Sequence, residues 1–463
     1  MNPPATTSRR AFIKAASIAS AFFGGEAALL AQGTRKSADN KGAPKKIIFM
    51  VSDGMNHGAL SLAQHYLSHF HRKQTHWATM YRELPIVRGL VETFSANSMV
   101  TDSAAAASAW GGGLRVNNGT LNVSPEGRPN TPLQTTLREK NIPTGLVSTA
   151  TITHATPAGF AANVSDRGSE EEIARQYLDR RVAVLLGGGR RFFSGDLKNE
   201  FCAAGYDLLS YRDDLLKARP DAAKPVLGTF ANGYMPYAID REASDSETKK
   251  RPTLREMADF AVARLDAISK DQWFLMVEGA RIDHCGHGND AAASIHEQLD
   301  FDQAVGSMLH YASNHPDTLL VITTDHGCGG IQLNGMSARP EQKMAPGIYN
   351  GTTACFDHIA RFTHSLEWMR NKAGGLSGPP LRDFIKSETG FDFDNDEIKR
   401  AQGLKNNEIA CLFGARHGIR WTSADHTGDL VEFCAYGPGS HHFPAFMHNY
   451  EVHHHVLEAF ALA

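Results

Sequence analysis

Short apolar runs bounded by turn residues recur along the chain: "KIIFMVSDG" at 46–54, "TGLVSTATITHATP" at 144–157, "VAVLLGGG" at 182–189, "WFLMVEG" at 273–279, "LLVITTDHG" at 319–327 and "VEFCAYGPG" at 431–439. Runs this short and unbroken fit strands buried on both faces, as in a parallel sheet. Between them the apolar period lengthens to that of a helix. "SEEEIARQYLDRR" opens with a capping-box pattern, Ser169 with Glu172, and "TLREMADFAVARLDAI" with another, Thr253 with Glu256. In the second, Leu254, Met257, Ala258, Ala261, Val262, Leu265 and Ile268 fall on one helical face. Strands alternating with helices predict an α/β fold, a mostly parallel central sheet flanked by helices. From 334 to 422 the alternation lapses and Gly, Pro, Asn and charge become common, which predicts a large insertion with some helix before the last core strand. Within it "FDFDNDEIKRA" resembles the start of a calcium loop but lacks the central glycine and closing glutamate, so acidic residues at a helix N-terminus explain it better.

Several of the apolar runs end in a polar group: Asp53, His154, Glu278, Asp325. Ligands of open α/β sheets gather at the carboxyl ends of the strands, so residues far apart in sequence are expected to meet there. Around them lie further donors. "EGARIDHCGHGND" holds Asp283, His284 and His287, "TTDHG" holds His326, and "ADHTGD" holds Asp425, His426 and Asp429. Mixed imidazole and carboxylate sets suit zinc, and oxygen-only sets suit magnesium. One more stretch, "VTDSAAAASAWGGG" at 100–113, predicts a short helix that begins at Asp102 and Ser103 and ends in its glycines. Ser103 is either a helix cap or a reactive hydroxyl.

Composition narrows the class. The 463 residues carry a net charge of −3 with ordinary apolar content, so no general attraction to nucleic acid is expected. Six cysteines form no CxxC pair, and Cys285 and Cys328 are expected to be small buried thiols, not metal ligands. "SRRAFIK" at 8–14 is a twin-arginine pattern ahead of an Ala-rich run. It predicts a signal peptide over 1–31, a linker over 32–45 and one domain over 46–463, with the twin-arginine export machinery as a partner and a periplasmic or secreted location.

Taken in order, "DGM" at Asp53, "TDSAAAA" around Ser103, "HATPAGF" at His154, "DRG" at Arg167, "VEGARIDHCGH" from Val277, "TTDHG" at Asp325 and "HTGD" at His426 make the chain resemble the alkaline phosphatase family. The resemblance implies that family's three-layer sandwich and hydrolysis of small-molecule phosphate monoesters through a phosphoserine on Ser103. It implies two Zn2+ and one Mg2+: Asp283, His287 and His426 on the first zinc, Asp53, Asp325 and His326 on the second with Ser103, and Asp53, Thr156 and Glu278 on magnesium. Arg167 would grip phosphate and Asp102 would orient it. His154 and His284 resemble the animal-type arrangement and would stand just outside the magnesium ligands, bonding through water or ligating weakly. Members of the family are often homodimers. The alternative is a phosphodiesterase or other ester hydrolase of the same superfamily. Ser103, Thr156, Glu278 and Arg167 together favour the monoester.

Overall fold

A computed structural model describes residues 43–243, 248–336, 349–404 and 406–462. The signal peptide expected over 1–31 lies outside these residues. Ten strands form the central sheet: β1 (Lys46–Val51), β2 (Val87–Glu92), β3 (Thr144–Thr151), β4 (Val184–Gly188), β5 (Asp207–Leu209), β6 (Val226–Thr229), β7 (Trp273–Glu278), β8 (Thr318–Thr323), β13 (Val431–Tyr436) and β14 (Phe446–His448), in the order β14-β2-β13-β8-β1-β7-β3-β4-β6-β5. Short pairs β9 (Gly327–Cys328) with β12 (His426–Thr427), and β10 (Gln332–Leu333) with β11 (Ile419–Arg420), stand apart from it.

The unbroken apolar runs have a direct cause. Ile48 and Met50 of β1 join one apolar cluster while Ile47, Phe49 and Val51 join the other, and Leu275 and Val277 of β7 part from Phe274 and Met276 in the same way. Successive side chains of a strand point to opposite faces, and here both faces are covered. The result is three layers. Helices that bear on the site are α1 (Ser103–Gly112), α2 (Ala155–Ala161), α3 (Glu170–Asp179), α4 (Leu254–Ile268), α5 (Arg281–Gly288), α6 (Ala291–Asn314) and α7 (Leu366–Ala373). The Thr253–Glu256 capping box closes the start of α4. The Ser169 box does not form: Ser169 takes ψ 55° and makes no side-chain cap bond, while Glu170 turns to Thr151 and Thr153.

One strand of the expected parallel set runs the other way. β13 pairs antiparallel with both β8 and β2. The chain leaves β8 at its carboxyl end through β9 and returns through β12, which lies antiparallel to β9, so it re-enters the sheet from the same edge. His426 thereby arrives at the carboxyl edge of the parallel strands. His441 and His442, which follow the far end of β13, come out at the opposite edge. Between 349 and 417 the described chain is mostly short helices, and their Phe356, Phe362, Phe391 and Phe413 join the cluster under one face of the sheet. Asp394 caps the helix Asn395–Ala401 in a capping box with Glu397, which accounts for the calcium-like spacing.

Candidate active site

Four adjacent strands, β8-β1-β7-β3, deliver the donors. Val51 stands in register with Glu278 on one side and Thr323 on the other, and Ser148 is opposite Glu278. Asp53, Glu278, Asp325 and His154 therefore leave neighbouring strand ends together. Gly54 makes the turn after Asp53 possible: it has φ +72°, a Cβ there would sit 2.5 Å from Asp283 Cα, and its N–H donates to Asp325 Oδ1 at 3.0 Å. Asn56 is buried and caps the next helix through Ala59 N–H.

The donors fall into three groups whose ligand atoms lie within 4.8 Å of one another: Asp283, His287, Cys328 and His426; Asp53, Asp325 and His326; and Asp53, His154 and Glu278. In the first, His287 Nδ1 lies 2.7 Å from the Ala424 carbonyl and His426 Nδ1 2.8 Å from the Thr101 carbonyl. Each carbonyl can only accept, so each Nδ1 carries a proton. The two Nε2 atoms are left 3.0 Å apart, each 3.4 Å from an Asp283 oxygen. In the second, His326 Nε2 lies 3.0 Å from Asp325 Oδ2, without hydrogen-bond geometry, and 3.2 Å from Ser103 Oγ. In the third, Glu278 Oε2 accepts from Ser148 Oγ at 2.6 Å, and Thr156 Oγ1 lies 3.5 Å from Asp53 Oδ2. Asp425 and Asp429 stay out of these groups; Asp429 bonds Thr427 at the surface.

The charges are poorly compensated by protein alone. Asp53 Oδ1, Glu278 Oε1, Asp283 Oδ1 and Asp325 Oδ2 are all buried without a hydrogen-bond partner. Burial, reinforced by Asp325, Asp283 and Glu278, holds the Asp53 carboxyl well above its ordinary range. Burial also raises Glu278, to about 7, against its bond from Ser148. Burial opposes ionisation of Asp283 too, but His426, His326 and His287 outweigh it and hold that carboxyl low. Orphaned carboxylate oxygens converging with imidazole nitrogens are what divalent cations satisfy, so the donor set fits metal ions.

Ser103 is the first residue of α1, and Asp102 is its cap. Asp102 Oδ1 accepts from Ala105 N–H at 2.9 Å, while Oδ2 accepts from Gly119 N–H at 2.9 Å and from Arg167 Nη1 at 3.0 Å. Arg167 Nη2 lies 3.2 Å from His154 Nε2. Burial, then the Arg167 charge, pushes His154 down to about 3, so this imidazole is neutral and accepts from the guanidinium. His284 is neutral for related reasons, burial and the adjacent Arg281, whose Nη1 lies 2.8 Å from His284 Nδ1. Arg281 is tied in turn to Glu367 of α7.

Three neighbours of the site escaped the sequence reading. Ser148 is one apolar-run residue among many until the β3–β7 register sets it against Glu278. Tyr234, whose ring centroid is 4.4 Å from that of His284, belongs to no motif. Cys328 sits in a motif but was expected only to pack; the β9–β12 pairing places it opposite His426.

Comparisons with known proteins agree on one family. The family model for alkaline phosphatase matches residues 44–462. Alkaline phosphatase 3 of Bacillus subtilis is 32% identical over 93% of this chain and 92% of its own length. The repressible alkaline phosphatase of Saccharomyces cerevisiae is 31% identical over 87% and 77%. Among solved structures, Thermus thermophilus alkaline phosphatase superposes with a TM-score of 0.82 at 28% identity, covering 93% of this chain and 95% of that one. Matches that run nearly end to end, on a sheet whose strand ends converge as described, mean that the chain belongs to the alkaline phosphatase family and is a phosphomonoester hydrolase.

Proposed function

We propose that the chain hydrolyses phosphate monoesters in two displacements at phosphorus, with Ser103 as the nucleophile and a phosphoserine between them. The observation that carries the reading is the position of Ser103 Oγ: at a helix N-terminus, nearly buried, and 3.2 Å from His326 in the middle of the acidic groups. Asp283, His287 and His426 would hold one zinc, Asp53, Asp325 and His326 a second, and Asp53, Thr156 and Glu278 a magnesium. When bound, the ions supply Lewis acidity that activates a hydroxyl and stabilises a departing oxygen, and they offset the buried carboxylates.

The chain's own residues supply the rest. The α1 N-terminus places positive partial charge where phosphate oxygens would sit. Arg167, moored by Asp102 and His154, turns its fork to two of those oxygens. Ser103 Oγ forms a bond to phosphorus as the ester P–O bond breaks, and the alcohol leaves with a proton. Water then attacks the same phosphorus from the vacated side, Ser103 recovers its hydroxyl and inorganic phosphate departs. Ser148 and Thr156 steady the Asp53–Glu278 pair. His154 stands nearer that pair than a purely outlying role needs, within ligand reach of both carboxylates. The twin-arginine pattern at 8–14 supports export of the folded chain to the periplasm or beyond.

Three measurements test the reading together. Metal analysis of the purified protein should give zinc and magnesium near two to one. Nitrophenyl phosphate should be cleaved far faster than its diester. Acid quenching during turnover should trap phosphate on Ser103 by mass spectrometry, and Ser103→Ala should lower turnover by more than about a thousandfold while phosphate still binds. Unchanged turnover in Ser103→Ala would sink the mechanism.

A further inference from the structure

We propose that Cys328 is a sulfur ligand of the first metal position, completing a four-donor set with Asp283, His287 and His426. The inference rests on the metal reading above and deepens it. Its evidence is placement. Cys328 is 2% exposed, and its sulfur lies within 4.8 Å of the ligand atoms of those three residues. It stands directly opposite His426 in the antiparallel β9–β12 pair, so both side chains leave the same face of that ribbon. From the other side α5 carries Asp283 and His287 one turn apart, and between them lies Gly286. A Cβ on Gly286 would come within 2.7 Å of both Cβ and Sγ of Cys328. The helix is therefore built without a side chain at the one place where the sulfur presses between its two donors. Asp283 Oδ1, itself buried and without a hydrogen-bond partner, lies 3.4 Å from His426 Nε2.

A thiol that only packed would belong with apolar neighbours. Cys285, in the adjoining motif, does so: it is part of the apolar core under the sheet. Cys328 is part of neither apolar cluster. As a ligand it would bind as the thiolate, with the S–H proton released to solvent as the sulfur–metal bond forms. A donor set of one carboxylate, two imidazoles and one thiolate would favour zinc or cobalt over magnesium.

Cobalt(II) provides the test, because its visible bands report tetrahedral binding and a near-ultraviolet charge-transfer band reports a thiolate ligand. Full-length protein stripped by chelation is titrated with cobalt(II), alongside Cys328→Ser, Cys328→Ala and Cys285→Ser. The expected result is visible bands in all four proteins and a charge-transfer band in wild type and Cys285→Ser only. Zinc affinity, read by chelator competition, should fall by more than about tenfold in both Cys328 variants, the least that a lost supporting partner costs a metal site. Visible bands without the charge-transfer band in wild type overturn the sulfur ligand and leave the metal position standing. A charge-transfer band that persists in Cys328→Ser overturns it as well. No cobalt bands in wild type at all overturn both readings. Should the Cys328 variants fail to fold, the wild-type spectrum alone decides.

Discussion

Asp102 makes three bonds with two oxygens, and Asp102→Ala separates what they do. The cap bond to Ala105 N–H contributes about 1 kcal/mol. The Gly119 N–H bond to the other oxygen is charge-assisted and contributes roughly 1.5–3 kcal/mol. The Arg167 pair is a quarter exposed, with side-chain values of 27% and 19%, so its direct contribution to stability is about 0–1 kcal/mol. These figures predict a loss of about 2.5–5 kcal/mol in folding stability, little of it owed to Arg167. The effect on phosphate runs entirely through Arg167. Arg167→Ala should weaken inhibition by inorganic phosphate about 10- to 100-fold, the worth of a charge-assisted fork at 1.4 kcal/mol per tenfold. Asp102→Ala leaves that fork anchored only at His154 and should weaken phosphate roughly fivefold, a cost near 1 kcal/mol. The assay is a double-mutant cycle on the phosphate inhibition constant, with thermal unfolding beside it. In the Arg167→Ala background Asp102→Ala should still lower the melting temperature but change phosphate inhibition less than about twofold. An equal loss of phosphate inhibition in both backgrounds would refute the positioning role.

The same structure makes further predictions. Chelation should abolish hydrolysis and lower the thermal midpoint, with a loss on the order of 3–4 kcal/mol if the ions normally stand at a hundred to a thousand times their dissociation constants; a midpoint unmoved by chelation would mean that the four orphaned carboxylate oxygens do not share cations. Glu297 of α6 is buried, and burial with Asp300 nearby pushes its carboxyl up to about 8 from an ordinary 4.5. A raised carboxyl stabilises the fold fully below its unfolded value and loses that contribution as pH rises through about 8. Glu297→Gln keeps an acceptor for Ala238 N–H and should be more stable than wild type at pH ~9 by on the order of 1–3 kcal/mol, with the gain gone at pH ~5; parallel stability curves for the two proteins would count against it. Gly111→Ala places a methyl carbon 1.9 Å from the Gly159 carbonyl oxygen, so it should cost at least about 1–3 kcal/mol and depress turnover, whereas Ala substituted at the exposed Gly127, whose φ is +79° but whose Cβ meets nothing, should cost stability and spare turnover.

Elements and motifs were legible where local chemistry decides them. Strands β1, β7 and β8 announce themselves because both faces are apolar, and their polar ends follow from the rule that ligands collect there. The Thr253 box was legible because capping is a three-residue affair. The Ser169 box does not form: Ser169 leaves the extended backbone a cap needs, with ψ 55°, and Glu172 accepts from Gln176 Nε2 one turn on. Direction and register are long-range. The antiparallel course of β13 depends on β9 meeting β12 across about a hundred residues of intervening chain, and Cys328 gains its neighbours from that meeting alone. Ser148 has no sequence signal because its role is fixed by which residue of β7 it faces.

The composition of helix α1 is explained by what it touches. Its Ala-rich run has almost no amphipathic contrast and is buried from Ser103 to Gly111, so it is neither a surface helix nor one held by large apolar contacts. It lies against α2 at van der Waals limits: a Cβ on Gly159 would meet Ala107 Cβ at 2.5 Å, and one on Gly111 would meet the Gly159 carbonyl oxygen. Helix α2 in turn begins at His154 and carries Thr156, both beside Asp53. Small residues on both helices thus bring two N-termini to the same place, one bearing Ser103 and the other the edge of the Asp53–Glu278 pair. Larger side chains at Ala104 to Ala107 would separate the helices and with them the hydroxyl and the acidic groups. Close packing, not helix propensity, is what those alanines provide, and the position of the nucleophile follows from it.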